Sequence, residues 1–191
     1  MIFQPIPLKG AYTIAWEPRT DDRGFFARVF CAEEFRREGL VSSFVQANLS
    51  ESSVAGTVRG MHFQKAPHAE VKLVRCVKGA IYDVIVDIRP DSSTYLQWFG
   101  AILSADNGLM MYAPEGFAHG YQSLEDRAAA LYLDSTPYAP RAEEGLRHDD
   151  AQLAICWPIP VTSISPKDAA WPHLPIRASV AGTSSAQAHQ V

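Results

Sequence analysis

The chain has 191 residues, 47% hydrophobic and 20% charged, with a formal net charge of −4. That length gives one compact domain with a substantial core, and the slight acidity excludes a general affinity for nucleic acid or an anionic membrane surface. No apolar run is long enough to span a bilayer, and the opening MIFQPIPLKG lacks the basic and apolar regions of a secretory leader. Cys31, Cys76 and Cys156 are widely spaced and form no CxxC, which predicts free thiols in a reducing cytoplasm.

The first clear element is a short helix. CAEEFRREG, Cys31–Gly39, carries acids early, bases late and a glycine to stop it. Strand signals follow. FVQANLS puts Gln46 and Asn48 on one face of an otherwise strand-like stretch, and RGMHFQ puts His62 and Gln64 on one face with Met61 and Phe63 on the other. The same alternation sets Arg59 opposite His62, unless Gly60 bends the strand. VKLVRCV (Val71–Val77) and AIYDVIVDI (Ala80–Ile88) are predicted strands, with Lys78-Gly79 between them reading as a hairpin turn. Further strands are predicted at Thr94–Leu103, Gly108–Pro114 and Ala129–Ser135, separated by the turn clusters RPDSS and SADNG. Many short strands at close spacing predict an all-β fold, an antiparallel sandwich or barrel with few short helices. No internal repeat or second domain is visible. A single domain is expected over residues 1–177, and the small polar residues 178–191 are expected to form a disordered tail.

Between Arg59 and Arg75 the residues Arg59, His62, Gln64, His68, Lys72 and Arg75 are too polar for plain core. PEGFAHGYQ adds His119, ALYLDSTPYAP adds Tyr132 and Tyr138, and SPKDAAWP adds Lys167 and Asp168. Each has an ordinary reading as well: a histidine on a strand face is commonly hydrogen-bonded filler. Tyr132 could be core with a satisfied hydroxyl, Lys72 could snorkel, and Asp168 could cap the following turn. His62 and His119, with Asp83, Asp87 or Glu115, are conceivable metal ligands. Without an HxH or HxxxH pair to put two imidazoles on one ion, no metal is expected.

Taken in order, DRGFFAR, FVQANLS, RGMHFQ, KLVRCVKGAIYDVIVDIR, YAPEGFAHGYQSL, LYLDSTPYAP and SPKDAA resemble the dTDP-4-dehydrorhamnose 3,5-epimerases over about Lys9 to Leu174. The resemblance implies a cupin-type jelly roll, a homodimer and cofactor-free epimerisation of a nucleotide-linked 4-keto sugar. It implies His62 as the base, Asp168 as its orienting carboxylate, Lys72 as a positive charge near the enolate and Tyr132 as the acid on the opposite side. It further implies ligand contacts by Arg23, Gln46, Asn48, Arg59, His119, Glu143 and Lys167, with arginine and lysine suited to a pyrophosphate and Tyr138 to stacking on the base.

Three positions depart from that pattern. Arg28 stands where an acid is usual, Ala47 replaces an aspartate, and Leu133 replaces a lysine after the tyrosine. Arginine offers only donors, which suit the O2 and N3 acceptors of cytosine, so a CDP-linked sugar is an alternative to a dTDP-linked one if Arg28 faces the base. Two other classes stay open: a sugar-nucleotide-binding cupin without catalysis, and a metal-dependent cupin dioxygenase or isomerase. The intact base and acid set argues against the first, and the lack of clustered histidines against the second.

Overall fold

The structure, a computed structural model, describes residues 1–175; the tail expected at 178–191 lies outside them. In chain order the elements are β1 (Ile2–Pro5), β2 (Tyr12–Ala15), β3 (Arg19–Asp21), β4 (Gly24–Phe26), α1 (Ala32–Arg37), β5 (Gln46–Ser52) and β6 (Thr57–Gln64). They continue with β7 (Lys72–Lys78), β8 (Ala80–Asp87), β9 (Trp98–Ser104), β10 (Leu109–Ala113) and β11 (Phe117–Ser123). The last are β12 (Ala128–Asp134), β13 (Glu143–Gly145), β14 (Ser163–Ile164) and α2 (Pro166–Ala169).

The strands build the jelly roll that the motifs imply. One sheet has the order β1-β2-β10-β7-β12-β5, the other β13-β6-β11-β8-β9 with β14 beside β6, and β3–β4 form a separate ribbon. Val74, Cys76, Ile81, Ile85, Phe99, Leu103, Met111 and Phe117 meet between the sheets as the main core. Outside the second sheet, Met61, Tyr82, Val84, Val86 and Trp98 pack against Leu146, Leu153 and Ile155 from the later chain. Outside the first sheet, Phe35 of α1 covers Ile14, Leu73, Met110 and Tyr112. β8 is therefore apolar on both faces because both are covered, as a central strand requires.

Two local expectations are corrected. Lys78-Gly79 is not a hairpin turn: β7 pairs with β10 and β12, whereas β8 pairs with β11 and β9. Gly79 has the positive φ expected of a turn, +66°, but the chain there passes from one sheet to the other. Val74 and Cys76 point into the core from one side and Ile81 from the other, a burial that a flat hairpin does not give. The strand expected from Thr94 begins only at Trp98. Leu96 has φ +62°, and Thr94 Oγ1 donates to Asp87 Oδ2 at 2.6 Å, so this segment is a turn folded onto a buried carboxylate.

Asp87 anchors that turn. It accepts from Ser92 Oγ at 2.5 Å and from Arg89 Nε at 2.8 Å as well. Burial alone raises its carboxyl, but the Arg89, Ser92 and Thr94 donors outweigh it and bring the pKa down to about 2. A carboxyl lowered on folding stabilises the protein above its unfolded pKa, near 4, and the benefit disappears as pH falls through about 2. Relative to Asp87→Asn, the wild type is expected to gain about 2 kcal/mol at neutral pH and to lose that advantage between about pH 4 and 2. Denaturant titrations across this range measure it; a gap independent of pH would contradict it.

Candidate active site

The functional side chains converge because β6 does not alternate simply. Pairing of β6 with β11 matches His62 to His119 and Arg59 to Tyr121, so three steps along β6 answer two along β11. This bulge turns Arg59 onto the face of His62, the bend that Gly60 was expected to permit. Gly60 has φ +108°, and a Cβ there would lie 2.6 Å from both Gly120 Cα and His119 O. Only glycine lets these two backbones approach so closely.

A cleft with two lobes opens between the sheets. The first, about 400 Å³, is lined by Arg59, His62, Lys72, His119, Tyr132, Lys167 and Asp168. The second, about 560 Å³, is lined by Gln46, Asn48, Glu70, Asp134, Tyr138 and Glu143, and again by His62, Lys72 and Tyr132. The lobes thus share the three side chains best suited to proton chemistry. They differ in charge: Arg59 and Lys167 make the first basic, whereas Glu70, Asp134 and Glu143 make the second acidic.

On one wall His62 Nε2 lies 2.6 Å from Asp168 Oδ1. Asp168 is delivered by α2, a helix absent from the sequence reading, whose N-cap Ser165 accepts from the Asp168 amide at 3.0 Å and whose first residue is Pro166. Burial raises the Asp168 carboxyl, but His62, the Gly60 amide and Ser165 outweigh it and hold the group below its ordinary range. An ionised Asp168 can only accept, so the His62 Nε2 that faces it carries a proton and donates. On the facing wall, β12 presents Tyr132 beside Lys72 of β7, whose Nζ lies 5.6 Å from the phenol ring centre. Burial raises the Tyr132 hydroxyl, with Lys72 partly opposing, so the phenol keeps its proton at neutral pH. Burial works against the Lys72 charge, but Asp134 and Glu70 outweigh it and raise the group above its ordinary value, so it is an ammonium.

A second pair was not anticipated. His119 Nε2 lies 2.7 Å from Asp83 Oδ1, and burial pushes the Asp83 carboxyl up despite the histidine. In the sequence Asp83 and His119 stood out only as conceivable metal ligands, not as a hydrogen-bonded pair. Among the described residues no group of three or more His, Cys, Asp or Glu side chains is arranged to hold a metal ion.

The expected ligand contacts divide into two sets. Arg59 is held by Ser52 Oγ at 3.1 Å and the Glu51 carbonyl at 2.9 Å, facing the first lobe. At the rim Lys167 Nζ meets Glu143 Oε1 at 2.6 Å, and the Tyr138 hydroxyl donates to Glu143 Oε2 at 2.5 Å. Gln46 and Asn48 donate to Asp134 Oδ2 at 3.4 and 2.8 Å. Arg23 and Arg28 line neither lobe. Arg23 folds onto Asp21 at the tip of the β3–β4 ribbon. Arg28 Nη1 donates to Glu34 Oε1 at 2.7 Å in a separate cleft with Glu17, Arg19 and Phe26.

His62 with Asp168 on one wall, and Tyr132 beside Lys72 on the other, line the cleft of a jelly-roll isomerase. The family model for dTDP-4-dehydrorhamnose 3,5-epimerase matches residues 5–175. An Escherichia coli (strain K12) protein of that name is 46% identical over 158 residues, 80% of this chain and 84% of its own. The crystal structure of the Bacillus anthracis str. Ames enzyme of the same name, with TDP and PPi bound, superposes with a TM-score of 0.88 at 41% identity over 91% of this chain and 99% of that one. That of the Legionella pneumophila Philadelphia 1 dTDP-6-deoxy-D-glucose-3,5-epimerase, in complex with dTDP-4-keto-L-rhamnose, gives 0.84 at 38% identity over 89% and 90%. The chain belongs to the dTDP-4-dehydrorhamnose 3,5-epimerase family.

Proposed function

We propose that this protein inverts C3 and C5 of a dTDP-linked 4-keto-6-deoxyhexose without a cofactor, converting dTDP-4-dehydro-6-deoxy-glucose to dTDP-4-dehydro-L-rhamnose. The observation that carries the reading is the opposition across the cleft of His62, oriented by Asp168, and Tyr132 with Lys72. The C4 ketone acidifies its neighbours. His62 Nδ1 takes the proton from carbon, the C–H electrons move onto the ketone oxygen, and the Lys72 ammonium favours the resulting enolate. The Tyr132 hydroxyl then delivers a proton to the opposite face, and the carbon is inverted. The basic lobe with Arg59 and Lys167 suits the pyrophosphate. Arg28, spent on Glu34, gives a CDP-linked sugar no support.

The working unit in this proposal is a homodimer. Arg23 belongs to the ligand contacts implied by the resemblance, yet it sits on a ribbon outside its own cleft. Phe25 and Phe26 of that ribbon are 60% and 69% exposed, apolar surface that a second copy would cover. A ribbon reaching the partner's cleft would put both sets of contacts on one ligand. We place the protein in the cytoplasm, where the free thiols of Cys31, Cys76 and Cys156 stay reduced; no described helix is long and apolar enough to cross a membrane.

The test is incubation with dTDP-4-dehydro-6-deoxy-glucose in deuterated water, followed by NMR. Deuterium is expected at C3 and C5 with the L-rhamno product, and activity is expected to survive exhaustive chelation. Exchange at one carbon alone would restrict the reaction to that carbon. Binding without exchange would leave a sugar-nucleotide-binding cupin, and activity lost on chelation and restored by metal would overturn the cofactor-free mechanism.

A further inference from the structure

Lys72 is held unlike any other lysine of the cleft. Its Nζ lies 2.9 Å from Asp134 Oδ1 and 3.1 Å from Glu70 Oε1, and both carboxylate side chains are more than nine-tenths buried. Glu70 has no other role in view: among the described residues its only ionic partner is Lys72, and its Oε2 is buried with no hydrogen-bond partner. A buried carboxylate oxygen without a donor is a cost to folding. Asp134, by contrast, is fully engaged. Its Oδ2 accepts from Asn48 and Gln46, and Gln46 Oε1 accepts in turn from the Tyr138 amide at 3.1 Å. A chain of contacts therefore runs from the rim, through Gln46, Asn48 and Asp134, to the ammonium and ends on Glu70.

We propose that Glu70 and Asp134 are positioning residues that clamp the Lys72 ammonium in place and keep it charged beside the reacting carbonyl, and that Gln46 and Asn48 act through Asp134. This rests on the epimerase reading for its chemistry, though the clamp itself is a property of the free protein. A lysine stem is flexible, and its ammonium discharges readily when buried. Two carboxylates from different segments, β12 and the approach to β7, fix both the direction and the protonation of Nζ. The other titratable groups facing Lys72 are Tyr132 of β12, His62 and Arg59 of β6 and His119 of β11. None but Glu70 and Asp134 is within ion-pair distance of its Nζ.

Glu70→Gln is the discriminating change, because it takes one negative charge from beside Lys72 and leaves in place the groups that act on the Tyr132 hydroxyl, namely Lys72, Asp134, Tyr121 and Arg59. The test is an NMR pH titration of 15N-lysine-labelled protein, with the Lys72 signal assigned by its loss in Lys72→Arg. Deuterium exchange is followed in parallel across pH. The Lys72 transition is expected to fall by about 1–2 pH units in Glu70→Gln, and the alkaline limb of kcat to fall with it while KM stays within about twofold. Asp134→Asn, read by the same lysine signal, serves should Glu70→Gln fold poorly. An unmoved Lys72 transition in a folded variant overturns the clamp. Absence of exchange in the wild type overturns the epimerase reading instead, and the lysine titration decides the clamp independently.

Discussion

Replacing His62 with alanine is expected to abolish deuterium exchange at every carbon of the substrate, a loss of at least roughly a hundred- to ten-thousand-fold in kcat. The reason is positional. Asp168 occupies Nε2 of His62, so in the proposed mechanism its Nδ1 is the atom that takes the proton, and alanine removes it. Tyr132→Phe separates the half-reactions: it removes the hydroxyl on the facing sheet and leaves the base, so exchange persists from the base side while inversion fails. Asp168→Asn falls between, since an amide can still meet the imidazole but neither fixes its tautomer nor steadies the imidazolium. NMR of substrate protons and product configuration reads all three. Near-normal turnover in His62→Ala would overturn the assignment of the base.

Gly60→Ala is expected to be as damaging without touching a reactive atom. The added methyl would meet the backbone of His119 and Gly120 at 2.6 Å, at a φ of +108° that alanine resists. Overpacking against backbone and the unfavourable φ together are expected to cost about 3 kcal/mol or more, a fall in Tm of roughly 10 °C. The bulge that turns Arg59 toward His62 would be lost as well, so exchange should drop even below the new Tm. A melting temperature within about 2 °C of wild type would show that β6 and β11 part without cost.

Much of this was readable beforehand because the strands carry local signals. The helix at Ala32–Arg37, the strands at β7, β8, β10 and β12, and the pairing of His62 with Asp168 follow the residues and motifs closely. What escaped depends on contacts distant in sequence. A glycine with positive φ serves a hairpin and a passage between sheets equally well, so Lys78-Gly79 could not reveal that β7 and β8 part company. Helix α2 spans one turn, too short for periodicity to register. Glu70 and Asp134 carry no motif of their own, and only the fold shows that both meet Lys72 and that Asp83 is hydrogen-bonded to His119. Arg23 was read as a ligand contact from motif order, and Arg28 only on condition that it faces the base; motif order carries no information about which cleft a side chain lines.

The passage at Lys78-Gly79 also determines what kind of distance separates base from acid. His62 and His119 ride on one sheet, Lys72 and Tyr132 on the other, and among the described residues no strand is hydrogen-bonded to both sheets. Within a sheet, spacing is dictated by the backbone ladder. Between sheets it is dictated by the bulk of Val74, Ile85, Phe99, Met111 and their neighbours. The aperture in which a sugar ring must turn over is thus calibrated by hydrocarbon volume, and a methylene gained or lost deep in the core is a change in the jaw width of the catalyst.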